Sequence, residues 1–132
     1  MKLGTLKSAQ KDGELVIVSR DLKRYANVFD ICPNLREALD HWGQVEPQLR
    51  ARAEKLERNE IPSQAYDESQ MMSSLLRTWL FADGSSFIYH VKLVRMARKA
   101  ALPETLTTVP LMYQGESGHV LNPLEDIPQR DF

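Results

Sequence analysis

Residues 2–19 read KLGTLKSAQKDGELVIVS, and the fold class turns on them. Two short segments, 2–6 and 14–19, flank Lys11-Asp12-Gly13, a turn signal. Val16, Ile17 and Val18 are β-branched and suit a pleated surface. The stretch therefore predicts two strands joined as a small hairpin or sheet corner. Val28–Ile31 is expected to add another short strand.

Downstream the apolar period changes from two to that of a helix. Asn34 can act as N-cap with Glu37 three residues on, and Leu35, Ala38, Leu39 and Trp42 then share one face. Gly43 is expected to end this helix and Pro47 to open the next. Leu49, Ala53 and Leu56 form its apolar stripe, among Arg50, Arg52, Glu54, Lys55, Glu57 and Arg58. That charge is mixed in sign, which reads as a solvated face rather than a phosphate-binding patch. Residues 59–70, with Pro62, Ser63 and Asp67, read as a connection at a candidate domain boundary. Residues 71–81 predict a short buried helix, with an extended segment as the alternative. Ser85 or Ser86 should cap a third helix running to about residue 101, with Phe87, Val91, Val94 and Ala97 on one face. After Pro103 the chain reads as irregular. The class is α+β.

The chain has 132 residues, enough for one domain or a small domain plus part of another. Its net charge of -1, from 17 basic and 18 acidic side chains, gives no electrostatic reason to expect nucleic acid or a membrane surface. Cys32 is the only cysteine, so no intrachain disulfide forms and a cytoplasmic location is expected. Within its apolar run Cys32 reads as a small buried hydrophobe. The N-terminus lacks an apolar targeting region, and no apolar run is long enough for a bilayer.

Chemistry concentrates in AlaAspGlySerSerPheIleTyrHis, residues 82–90. Asp83 suits a turn or cap, and His90 suits a core or interface position on an apolar stripe. The same groups also offer a hard metal ligand and a base for activating water. One aspartate does not make a Mg²⁺ or Ca²⁺ site, since such cations take several oxygen ligands. A second cluster, LeuMetTyrGlnGly at 111–115, reads as a loop that presents Tyr113 and Gln114 beside Gly115. Phosphate loops, nucleophile elbows and zinc-finger spacings are absent, and His41 and His119 read as surface and loop residues.

The stretch AlaAspGlySerSerPheIleTyrHisValLysLeuValArgMetAlaArg, then ProLeuMetTyrGlnGly, then AspIlePro, resembles the fumarylacetoacetate hydrolase family. LysLeuGlyThrLeuLys, LeuValIleValSerArgAspLeu and LeuArgGluAlaLeuAspHisTrp are similar to the small N-terminal domain of its bacterial members. The resemblance implies hydrolysis of carbon–carbon bonds in diketo acids, in the setting of tyrosine catabolism. It implies a small N-terminal domain, residues 1–70, followed by a linker, a catalytic-type helix and the incomplete start of a mixed β-rich roll, residues 71–132. It further implies Asp83 as a ligand of Mg²⁺ or Ca²⁺, His90 as the water-activating base, and Tyr113 and Gln114 as substrate contacts. Arg95, Arg98 and Lys99 fall near the place of the family's substrate-binding arginine, and Arg98 is the candidate.

The sequence also departs from the family pattern. Gln114 stands where some members have histidine, and Glu116 where glycine is frequent. Glu125, Asp126 and Asp131 do not form the family's Glu-x-Glu ligand pair. The expectation is therefore an N-terminal portion of a homodimeric hydrolase, inactive alone. The alternative is a non-catalytic interaction or oligomerisation module.

Overall fold

The computed structural model describes residues 1–115, 118 and 120–129. Glu116, His119 and Asp131, named above, lie outside the described residues. The chain divides into two units, Met1–Thr78 with Gly118–Phe132, and Trp79–Ser117.

The first unit is built on a curled five-stranded antiparallel sheet. Its strands are β1 (Lys2–Leu6), β2 (Glu14–Val18), β3 (Arg24–Asn27), β4 (Gln64–Ala65) and β5 (Met71–Met72), in the order β4-β3-β2-β1-β5. β1 and β2 form the predicted hairpin, with Leu3 opposite Ile17 and Thr5 opposite Leu15. Gly13 closes the turn at φ +62, where a Cβ would lie 2.5 Å from Thr5 Cγ2 and 2.7 Å from the Leu6 carbonyl oxygen. Only glycine meets both demands.

The expected strand at 28–31 moves upstream. β3 ends at Asn27, and a turn follows in which Ile31 and Cys32 donate to the Val28 carbonyl at 2.8 and 3.0 Å. Pairing with β2, Val18 opposite Tyr25, overrides the weak strand propensity of Arg24–Asn27. The connection at 59–70 also contributes structure: β4 pairs with β3, and a 3₁₀ turn spans Glu68–Gln70.

β2 is buried on both faces, which accounts for its unbroken apolar run. Leu15 and Ile17 face the main core with Ala26, Val28, Cys32, Ala38, Val45, Leu49, Ala53 and Leu56. Val16 and Val18 meet Tyr25 and Met71 on the other side. Cys32 is buried, as expected, and burial pushes its thiol pKa up.

Two helices supply the main core. α1 (Leu35–Asp40) has the predicted cap: Asn34 Oδ1 accepts from the Glu37 amide at 2.9 Å, and Asn34 Nδ2 donates to Glu37 Oε1 at 2.8 Å. α2 spans Trp42–Glu57, so it begins at Trp42 and not at Pro47. Gly43 lies inside its first turn. Pro47 is exposed, and so is Gly43, whose carbonyl loses its usual helical donor to the proline. Val45, Leu49, Ala53 and Leu56 are its buried face. Asn59, at φ 58, ends the helix while Glu60 donates to the Lys55 carbonyl at 2.9 Å. Three arginines on α2 and at its C-cap are paired: Arg50 with Glu46, Arg52 with Asp30 at 2.5 Å, and Arg58 with Glu60 at 2.7 Å.

Residues 71–81 are not a helix. Met71 and Met72 pair with Leu6 and Thr5 at the sheet edge, and the chain then runs irregularly to Leu80. Three ties hold this segment within the first unit. Buried Thr5 donates its hydroxyl to the Ser74 carbonyl at 3.0 Å, and the Ser73 amide donates to Asn122 Oδ1 at 3.3 Å. Arg77 Nε donates to Asp12 Oδ1 at 2.7 Å, while Arg36 reaches the same carboxylate at 3.3 Å. The hydrogen bond from Arg77 is the main reason the Asp12 pKa lies below its ordinary value. Burial opposes that lowering, and the charges of Arg77 and Arg36 add to it.

Among the described residues, no helix is long and apolar enough to cross a membrane.

Candidate functional site

The second unit is a two-stranded antiparallel sheet with a helix between its strands. β6 (Phe81–Ser85) pairs with β7 (Leu111–Gly115), and α3 (Ile88–Ala97) lies between them in sequence. This corrects two expectations. Asp83 lies in mid-strand rather than in a turn or cap, and residues 111–115 form a strand rather than a loop. α3 is also shorter than expected. Its N-cap is Phe87, without a side-chain cap bond, and Ser85 belongs to β6. Its end is set by Lys99 at φ 51, with Ala100 donating to the Arg95 carbonyl at 2.9 Å.

The register brings two candidates together. Asp83 is the direct cross-strand partner of Tyr113. Directly opposed residues share a face and have Cβ atoms about 4.5–5.5 Å apart. A carboxylate acceptor and a phenol donor therefore stand side by side. Phe81 opposite Gly115 lies on the same face, because side chains alternate along a strand. Gln114 is opposite Ala82, so it lies on the other face and is not aimed with Tyr113.

His90 and Arg98 come from α3. His90 is exposed and is not a core histidine; the buried residue of α3 is Val91. Arg98 follows the last helical residue and is exposed as well. Eight helical steps separate the two, about 12 Å along the axis. They are suited to opposite ends of a ligand rather than to one atom of it.

Asp83 is the only acid on β6 and β7. Among the described residues, no group of three or more His, Cys, Asp or Glu side chains is placed to hold a metal ion. A hard cation takes six or more oxygen ligands. Asp83 offers one or two of them, so these residues do not by themselves fit a Mg²⁺ or Ca²⁺ site.

Phe81 is not among the residues the sequence singles out beside the candidates, and Gly115 is read there only as a loop glycine next to Tyr113 and Gln114. Their alternation with Asp83 and Tyr113 is a period-two signal, visible only once 81–85 and 111–115 are both read as strands. The first unit carries a separate concavity of about 320 Å³, lined by Tyr25, Asn27, Arg52, Ile61 and Gln64. Its one cation, Arg52, is already paired with Asp30.

A family model described as Fumarylacetoacetase N-terminal domain 2 matches residues 1–77. The match covers the first segment of the first unit to within one residue of its end. No curated protein matches the chain.

Proposed function

The chain belongs to the fumarylacetoacetase family through its N-terminal domain 2, residues 1–77, and from that premise we propose that it is the N-terminal part of a hydrolase of carbon–carbon bonds in diketo acids. The first unit is then the accessory domain, and the β6–α3–β7 unit is the start of the catalytic roll. The observation that carries this reading is the pairing of Asp83 with Tyr113 on one face of the hairpin.

In this reading each residue has a distinct task. Tyr113 donates a hydrogen bond to a substrate oxygen. Arg98 pairs with a substrate carboxylate, a charge-assisted contact stronger than a neutral one. His90, exposed to solvent, accepts a proton from the attacking water. Asp83 offers one or two oxygen ligands to a cation, and among the described residues no group of three metal-ligating side chains forms around it. The residues described do not complete that centre, so no catalytic step is assigned to it, and this chain alone should leave a diketo acid intact. The buried single cysteine favours a cytoplasmic setting.

Calorimetric titration with acetopyruvate, without added metal, tests the assignment. Binding in about the millimolar range is expected. Arg98→Ala and Tyr113→Phe should each weaken it several-fold, and Gln114→Ala, on the opposite face, should not. Equal binding by all four proteins would refute the site.

A second reading has its own observation. Trp79 is 87 % exposed, Met96 71 % and Phe87 69 %, a concentration of bare apolar side chains in the second unit. On α3, Tyr89, Leu93 and Met96 follow an i, i+4, i+7 spacing and are all exposed. A homodimer formed through that face accounts for it. Light scattering that shows a clean monomer at all concentrations would exclude this reading.

A further inference from the structure

We infer that Phe81 and Gly115 are a positioning pair for Tyr113, an inference that rests on the reading of Tyr113 as a substrate contact. The two are directly opposed across the β6–β7 ladder, and Asp83 and Tyr113 are the next pair on the same face. A Cβ built on Gly115 would lie 2.6 Å from Phe81 Cδ1, 3.1 Å from Phe81 Cε1 and 3.3 Å from Tyr113 Cε1. Both rings thus converge on the space that the missing side chain leaves. The Phe81 ring folds over the glycine, a cross-strand arrangement that compensates a strand glycine for its lack of packing. The Tyr113 ring tilts the same way along β7, towards Gly115.

The consequence concerns Asp83. Apart from the backbone pairing of β6 with β7, no side-chain hydrogen bond or ion pair to Asp83 is formed among the described residues. A tyrosine directly opposite has two ways to lean, over its cross-strand acid or along its own strand. The open space at Gly115, shared with Phe81, favours the second. The Asp83 carboxylate then stays uncovered beside the phenol, and a ligand can reach both. A methyl group at 115 closes that space. Backbone conformation does not force glycine here, since no positive φ occurs at this position. The requirement is for room, and room can be restored from the other strand.

The test is ring-resolved NMR of the whole chain with ¹³C-labelled tyrosine and phenylalanine. In the unsubstituted protein, Gly115 α-protons should show an upfield ring-current shift and contacts to both the Phe81 and Tyr113 rings. In Gly115→Ala the Tyr113 ring resonances should move and its contact should pass to the Asp83 β-protons. Phe81→Leu combined with Gly115→Ala should return the Tyr113 resonances towards their original positions, because the smaller side chain gives back the room. Tyr25 and Tyr66, in the first unit, should stay fixed throughout and report that the fold is kept. Acetopyruvate added to each protein should bind about 3- to 10-fold more weakly to Gly115→Ala, the worth of one aromatic pair, with recovery in the double variant.

Tyr113 resonances that are the same in all three proteins would overturn the positioning pair. Moved and rescued resonances with unchanged acetopyruvate affinity would uphold the ring arrangement and overturn its link to a ligand. Absence of acetopyruvate binding in the unsubstituted protein would instead overturn the substrate reading of Tyr113 on which the link depends.

Discussion

Leu49→Ala tests whether α2 is seated on the sheet as described. Leu49 is fully buried, at 0 % exposure, in the cluster that holds Leu15, Ile17, Ala26 and Val28. The substitution removes three carbons, a transfer loss of about 2.4 kcal/mol at roughly 0.8 kcal/mol per methylene. A cavity adds to that, because β2 is hydrogen-bonded to β1 on one edge and to β3 on the other and cannot sink into the gap. The expected total is about 3–4 kcal/mol, within the range for buried leucines. Urea unfolding followed by far-ultraviolet circular dichroism reads this directly, provided the slope m is unchanged. Arg50→Ala, the next residue and exposed, should cost less than about 0.5 kcal/mol. A loss under about 1 kcal/mol at Leu49, or equal losses at both positions, would refute the packing of α2 on β2.

Gly13→Ala should be nearly as damaging despite its turn position, because the methyl group meets the Leu6 carbonyl oxygen and because φ is +62; thermal melting should show the loss. Asp12→Asn should lower the melting temperature at pH 7. The Asp12 pKa is depressed in the fold, chiefly by the Arg77 hydrogen bond, so its contribution is present above the ordinary value of 3.8. It is lost as the pH falls through the lower folded value. The gap between Asp12→Asn and the unsubstituted protein should therefore close below pH 3.8, and a gap independent of pH would contradict the ion pair.

The parts of the fold legible in the sequence are those set by neighbours in the chain. The Lys11-Asp12-Gly13 turn, the β-branched run of β2 and the Asn34–Glu37 cap each act within a few residues, and each was readable. The parts that were not legible depend on distant partners. Arg24–Asn27 becomes a strand because β2 lies beside it, and Gln64–Ala65 because β3 does. Met71 and Met72 fit a helical period, but the free edge of β1 takes them. Pro47 looks like a helix start, yet exposure lets α2 run through it. At the candidate site, local chemistry made Asp83 a cap and Tyr113 a loop residue. The strands on which they face each other are about 30 residues apart in sequence, a distance no local pattern spans.

The central claim is that Asp83 and Tyr113 share one face of the hairpin and meet the same ligand, and one comparison tests it most directly: acetopyruvate affinity, without added metal, of Asp83→Asn and of Tyr113→Phe against the unsubstituted protein. Tyr113→Phe should bind more weakly, because it loses a hydrogen bond to a substrate oxygen. Asp83→Asn should bind more tightly, because a carboxylate beside the phenol repels an anionic ligand. Opposite signs in the two variants are the predicted result, and no change in either would contradict the account.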